Sequence, residues 1–288
     1  MLHVILFEDA NFHGAHKHVF TREPNLNAAD DNFFNDRVSS LVVLEGNWAF
    51  YADATFKRQY PPILGPGLYP SLPAGIKNDD MSSLQAVNAA PTVSGSPVDS
   101  HVVLFENANF HGAHKHVFTR EPNLNAADDN FFNDRVSSLV VHEGNWAFYA
   151  DATFKRQYPP ILGPGLYPGL PVGIKNDDMS SLQAVGAAPT ITGSPVNSQV
   201  ILFVNGNFHG AHKHVFTRKP NLNAADDNLF NDKVSSFVIL SGVWVFFRDS
   251  QFQNPYAGGT QFGPAIDGSS VEALGIKNDD MSSLLPVQ

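Results

Sequence analysis

The stretch N-D-D-M-S-S-L, Asn78–Leu84, recurs unchanged at Asn176–Leu182 and Asn278–Leu284. A relative lies upstream each time: N-D-R-V-S-S at Asn35–Ser40 and Asn133–Ser138, and N-D-K-V-S-S at Asn231–Ser236. Six copies of one element in one chain fix the organisation. Working outward, F-x-x-x-N-F-H-G-A-H-K-H-V-F-T-R begins at Phe7, Phe105 and Phe203, a period of 98 residues, so the chain is three modules in tandem. The first two differ between His3–Val87 and His101–Val185 only at Ile5/Val103, Asp9/Asn107, Leu44/His142, Ser71/Gly169 and Ala74/Val172. The third has a rebuilt loop after Phe252 but keeps both N-D-x-x-S-S elements.

Within each module, short runs such as H-V-I-L-F, S-S-L-V-V and N-W-A-F-Y are β-branched and aromatic and are punctuated by Gly, Pro, Asn and Asp. That pattern predicts an all-β Greek-key sandwich. Only N-L-N-A-A-D-D-N, residues 25–32, suits a helical turn. Asn78 follows Asn35 by one half-module, and each element comes after an aromatic hairpin, Phe7–Gly14 or Tyr51–Arg58, so each module is read as two four-stranded motifs. The domains are expected at residues 1–88, 101–186 and 199–288. The segments 89–100 and 187–198, small residues with prolines, read as semi-flexible linkers.

The 288 residues carry 28 Asp and Glu against 18 Lys and Arg, with no basic cluster. Nucleic acid is therefore an unsuitable partner and cations are suitable ones. No apolar run is long enough for a membrane span and no signal peptide is visible. An extracellular or cell-surface location is nevertheless favoured. There is no cysteine, which removes disulfides and thiolate chemistry. Glycine-rich phosphate loops and nucleophile elbows are also missing, so no enzymatic activity is expected.

Ca²⁺ takes six to eight oxygens from carboxylates, carbonyls, hydroxyls and water, a mixture that N-D-x-x-S-S supplies within one loop. Neighbouring side chains on a strand point to opposite faces. One serine of each pair is therefore expected to bind the ion and the other to clamp the fold.

The hairpin F-E-D-A-N-F-H-G and the elements N-D-R-V-S-S and N-D-D-M-S-S resemble the signature of the βγ-crystallins. In their microbial, calcium-binding branch the motif is Asn/Asp-Asn/Asp-x-x-Ser/Thr-Ser. The resemblance implies three domains with two Ca²⁺ sites each. Side-chain ligands would be Asp36, Asp79, Asp134, Asp177, Asp232 and Asp279. Backbone carbonyls would come from Arg37, Asp80, Arg135, Asp178, Lys233 and Asp280, with further hairpin carbonyls from Glu8, Ala52, Glu106, Ala150, Val204 and Arg248. Hydroxyls would come from Ser39, Ser82, Ser137, Ser180, Ser235 and Ser282. The following serines, such as Ser40 and Ser83, resemble the family's hairpin clamps. The sequence departs from the family at Arg58, Arg156 and Asn254, which stand where a glycine is usual. There the hairpin is expected either to open or to carry strain.

Nine histidines fall in the three F-H-G-A-H-K-H segments: His13, His16 and His18, His111, His114 and His116, and His209, His212 and His214. His16 and His18 share a strand face, which suits Zn²⁺, Cu²⁺ or Ni²⁺. A transition-metal binder or metallohydrolase is thus the alternative reading. No carboxylate is placed as a general base, and the hairpin position predicts exposed side chains. A carbohydrate-binding module is the third reading, resting on Trp48, Trp146 and Trp244. Their spacing within strands predicts core positions instead.

Overall fold

The computed structural model describes residues 1–29, 34–127, 132–225 and 230–287. Among the described residues the first module has eight strands: β1 His3–Phe7, β2 His16–Val19, β3 Arg22–Glu23, β4 Ser40–Glu45, β5 Asn47–Asp53, β6 Lys57–Leu64, β7 Gly67–Tyr69 and β8 Ser83–Val87. They form two four-stranded antiparallel sheets, ordered β2-β1-β4-β7 and β3-β8-β5-β6. Each half of the module lends one strand to the other half's sheet: β7 pairs β4 with Leu41 opposite Tyr69, and β3 pairs β8 with Glu23 opposite Leu84. This exchange of fourth strands is what makes the two motifs a single sandwich. The second module repeats both sheets and adds a fifth strand, Ile191–Thr192, to the second of them, and the third keeps three strands in each sheet. The turn expected over residues 25–32 lies partly outside the described residues.

Alternation along the strands explains the cores. Leu6, Leu41, Trp48, Phe50 and Leu84 all point between the sheets and have no exposed surface. Trp48 is fully buried and its indole N–H donates to the Glu45 carbonyl at 3.1 Å. Trp146 and Trp244 do the same with Glu143 and Ser241. The tryptophans are therefore core, and the carbohydrate reading loses its stacking platform.

The two linkers, expected to be semi-flexible, lie along their own domains. Gly65 N–H donates to Val93 at 2.9 Å, and Ile191–Thr192 runs parallel to Lys155–Gly163. At the crossing, a β-carbon on Gly67 would lie 2.5 Å from the Gly95 α-carbon. Only glycine permits that approach.

The opposite face of each first sheet is covered by the next domain. Phe118 of the second domain packs edge-on to Phe7 and Phe12 of the first. Phe216 of the third meets Phe105 and Phe110 of the second, and Phe20 of the first meets Phe203 and Phe208 of the third. Three like contacts, each from one domain to the next, close a ring, the arrangement of a cyclic trimer within one chain. Each buried phenylalanine contributes about 1.5–3 kcal/mol from area alone.

Candidate functional site

The six loops share one backbone arch. The second motif position, Asp36, Asp79, Asp134, Asp177, Asp232 or Asp279, has a φ of 51–54°, a left-handed conformation that Asp tolerates better than most residues. The two arches of a domain are laced together: the Asp36 N–H donates to Met81 at 3.1 Å and the Asp79 N–H to Val38 at 3.4 Å.

That lacing pairs the elements crosswise. The Ser39 hydroxyl donates to the Asp79 carboxylate at 3.2 Å, Ser137 to Asp177 at 3.1 Å and Ser235 to Asp279 at 3.2 Å. The Ser235 hydroxyl oxygen also stands 2.8 Å from the Val204 carbonyl, an alternative acceptor for its single proton, so a hairpin carbonyl, a hydroxyl and a carboxylate oxygen meet at one point. The reciprocal pair is Ser282 with Asp232, at 3.5 Å in the third domain. The hydroxyl of one element thus stands with the aspartate of the other, a cross-over that reading each element by itself did not reveal. Burial and then the Asp80 carboxylate push the Asp36 pKa above its ordinary value, so carboxylates crowd at the paired loops.

Several of the expected ligand residues are partly engaged elsewhere. The Asp80 side chain accepts from the Tyr60 hydroxyl at 2.8 Å and from Lys77 at 2.9 Å, and its carbonyl stands 3.0 Å from the same hydroxyl oxygen. Asp178 and Asp280 are held alike by Tyr158 and Tyr256. Arg37 and Arg135 turn their guanidinium groups onto the Glu8 and Glu106 carboxylates, with Nε–O distances of 3.0 and 3.2 Å. In the third domain Val204 replaces the glutamate, and Arg248 Nε stands 3.4 Å from Asp280.

The other serine of each pair has no exposed surface. Ser40 donates to the Asp9 carbonyl at 2.6 Å and accepts the Phe12 N–H at 3.0 Å. Ser83 spans Asp53 and Phe56 at 2.6 and 3.1 Å, and Ser283 spans Asp249 and Phe252 at the same distances. Two serines, adjacent in sequence, thus face opposite ways, one into the loop and one into the hairpin.

At the departures from the family pattern the hairpin stays closed and the residue carries the strain. Arg58, Arg156 and Asn254 have φ of 51, 52 and 54°. Each is held by a carboxylate five residues earlier: Arg58 Nε by Asp53, Arg156 Nε by Asp151 and the Asn254 amide by Asp249, all at 2.5 Å.

The expectation that the histidines face solvent fails. His18, His116 and His214 are 2–3% exposed, and with His16, His114 and His212 they converge where the three domains meet. His13 and His209 reach the buried carboxylates of Glu121 and Glu23 in the adjacent domain, both at 2.8 Å. At the third junction His111 meets Lys219 instead, at 2.5 Å. Sequence offered one clue: alternation places His16, His18 and Phe20 on one face, and an aromatic ending such a stripe signals a covered surface.

The Beta/Gamma crystallin family model matches residues 3–87, 101–185 and 199–287. The chain belongs to the βγ-crystallin family. It is 29% identical over 165 residues to beta-crystallin B1 of Rattus norvegicus, covering 56% of this chain and 60% of the relative. It is 30% identical over 145 residues to beta-crystallin A4 of Bos taurus, covering 50% and 65%. The chain thus spans less than two thirds of either relative. Among solved structures, a βγ-crystallin from an archaeon is 32% identical, covering 30% of this chain and 98% of its own at a TM-score of 0.27. A transition-metal-ion-binding βγ-crystallin from Methanosaeta thermophila is 38% identical, covering 29% and 99% at a TM-score of 0.27. Among the described residues no helix is long and apolar enough to cross a membrane.

Proposed function

We propose that the chain is a structural, non-enzymatic protein whose paired loops bind Ca²⁺, which stabilises each domain. The observation that carries this reading is the crosswise convergence of hydroxyl and carboxylate oxygens, Ser39 with Asp79, Ser137 with Asp177 and Ser235 with Asp279. Hard oxygens of mixed type at a loop, without sulfur or imidazole, match Ca²⁺ better than a transition metal. The third position supplies only a backbone carbonyl, so a basic residue is tolerated at Arg37, Arg135 and Lys233. An ion that binds only the folded state adds RT ln(1 + [L]/Kd), about 2.7 kcal/mol per site at a hundredfold excess over Kd.

Calorimetric titration of chelator-stripped protein tests the reading. Four to six Ca²⁺ per chain are expected, with second loops weakened by the strained hairpins and by Arg248. Two or fewer would refute the ligand assignment.

A further inference from the structure

Three imidazole nitrogens, one from each domain, form a near-equilateral triangle where the ring closes. His16 Nε2 lies 3.2 Å from His114 Nε2 and 3.1 Å from His212 Nε2, and these last two are 3.1 Å apart. In a neutral imidazole each such nitrogen carries either a proton or a lone pair. Among three mutually close nitrogens at least two must be alike, so hydrogen bonding cannot satisfy the triangle. A cation facing three lone pairs can.

The spacing suits one. Three nitrogens about 2.1 Å from a common ion stand about 3.0 Å apart in a facial octahedral set and about 3.4 Å apart in a tetrahedral one. Behind the triangle is a second tier, His18, His116 and His214, again one from each domain. Their Nε2 atoms are buried with no hydrogen-bond partner among the described residues, and these three ligand atoms lie within 4.8 Å of one another. Mixed trios joining the tiers, such as His16, His18 and His212, meet the same limit.

The inner rings are braced from behind, as metal-ligating imidazoles commonly are. His18 Nδ1 is 2.8 Å from His3 Nε2, and His116 Nδ1 is 2.9 Å from His101 Nε2. His214 Nδ1 stands 3.2 Å from the Gln199 side-chain amide, which offers an acceptor when turned over. An Nδ1–H donated to these partners leaves each Nε2 lone pair aimed at the centre. Burial, with the charge of Lys115 in second place, holds His16 down at about 4, and burial likewise holds His114 and His212 well below the ordinary value. Cavities of about 230 and 240 Å³ between domains reach His16 and His114 on one side and His16 and His212 on the other, giving an ion a way in.

We infer that the ring axis is a binding site for one divalent transition-metal ion, held between the His16–His114–His212 triangle and the inner His18–His116–His214 tier. An all-imidazole set selects Zn²⁺, Ni²⁺ or Cu²⁺ and offers nothing to Ca²⁺ or Mg²⁺. The ion ties the three domains together, because every tier draws one ligand from each. This site is separate from the calcium loops and does not depend on them.

The test is calorimetric titration of the chelator-stripped full chain with Ni²⁺ and separately with Zn²⁺, in saturating Ca²⁺ and in its absence. One tight ion per chain is expected in both, with a metal-dependent rise in the unfolding temperature. His114→Gln should weaken binding more than about a hundredfold, beyond the 10–100-fold typical for loss of a supporting outer-shell partner. His13→Gln, outside the two tiers, should leave it unchanged. Three ions per chain would show that each domain's own histidines bind separately, and would overturn the inference. So would equal sensitivity to both variants, or binding that Mg²⁺ displaces. Should His114→Gln fail to fold, X-ray absorption on the Zn²⁺-loaded natural chain decides: an imidazole-nitrogen shell supports the site, and an oxygen-dominated shell overturns it.

Discussion

Replacing Ser283 by Ala removes a hydroxyl that has no exposed surface and bridges the Asp249 carbonyl at 2.6 Å and the Phe252 N–H at 3.1 Å. Both backbone groups lose their partner, at about 1–3 kcal/mol for an unsatisfied group. The hairpin also holds Gln251, Phe252 and Asn254 at φ of 58, 61 and 54°, conformations that the clamp helps to maintain. Taking about 2 kcal/mol of local destabilisation, the Phe252 amide should exchange with solvent about thirtyfold faster. Hydrogen exchange with mass spectrometry reads this cleanly in the third domain, because F-R-D-S-Q-F-Q-N-P-Y, Phe247–Tyr256, differs from the corresponding hairpins of the other two. The acceleration should be equal with Ca²⁺ and with chelator. Ser282→Arg changes the neighbouring serine, which faces Asp232 at 3.5 Å. It should leave chelator-state protection intact and abolish only the increment that Ca²⁺ adds. Unchanged exchange in Ser283→Ala, or a loss confined to the Ca²⁺-bound state, would refute the division of labour between the two serines.

The junctions between domains give two further expectations. Burial raises the pKa of Glu121, but the hydrogen bond from His13 and the charge of Lys115 outweigh it and hold the carboxyl at about 2 against an ordinary 4.5. Because the folded value is depressed, its stabilisation is complete above about pH 4.5 and is lost as pH falls toward about 2. Glu121→Gln should therefore be less stable at pH 7 and show a shallower decline over that window in denaturant titrations; parallel pH profiles would contradict this. At the junction where His111 meets Lys219, Lys219→Glu would recreate the pairing of the other two. It should stabilise the chain by about 1.5–3 kcal/mol, the range for hydrogen bonds to charged groups, read as a higher unfolding midpoint at pH 7. A lower midpoint would show that the lysine is matched to surroundings the other junctions lack.

The sandwich was legible in the sequence because its information is local. Alternation in H-V-I-L-F and N-W-A-F-Y places Leu6, Trp48 and Phe50 inward, and the aromatic hairpins mark where strands turn. Opposite-facing neighbours on a strand must have different roles, and the family resemblance gave the clamping role to Ser40 and Ser83. The crosswise pairing of Ser39 with Asp79 was not legible, since it depends on two loops four strands apart being laced by backbone hydrogen bonds. The histidines were misread for a similar reason. His16 and His18 look like polar residues on an outer strand, and only the ring of three domains turns that face inward. Arg58 shows the converse: sequence raised the choice between an open and a strained hairpin, and the carboxylate of Asp53 settles it by holding the guanidinium across the closed turn.

The calcium reading is tested most directly by a crystal structure of the chain grown in Ca²⁺, with anomalous differences identifying the ions. Peaks are expected about 2.3–2.6 Å from the ligand oxygens, flanked by Ser39 and Asp79, by Ser137 and Asp177, and by Ser235, Asp279 and the Val204 carbonyl, with weaker peaks at the reciprocal loops. Loops without ions at saturating Ca²⁺, with their serines still bonded to the aspartates, would contradict it.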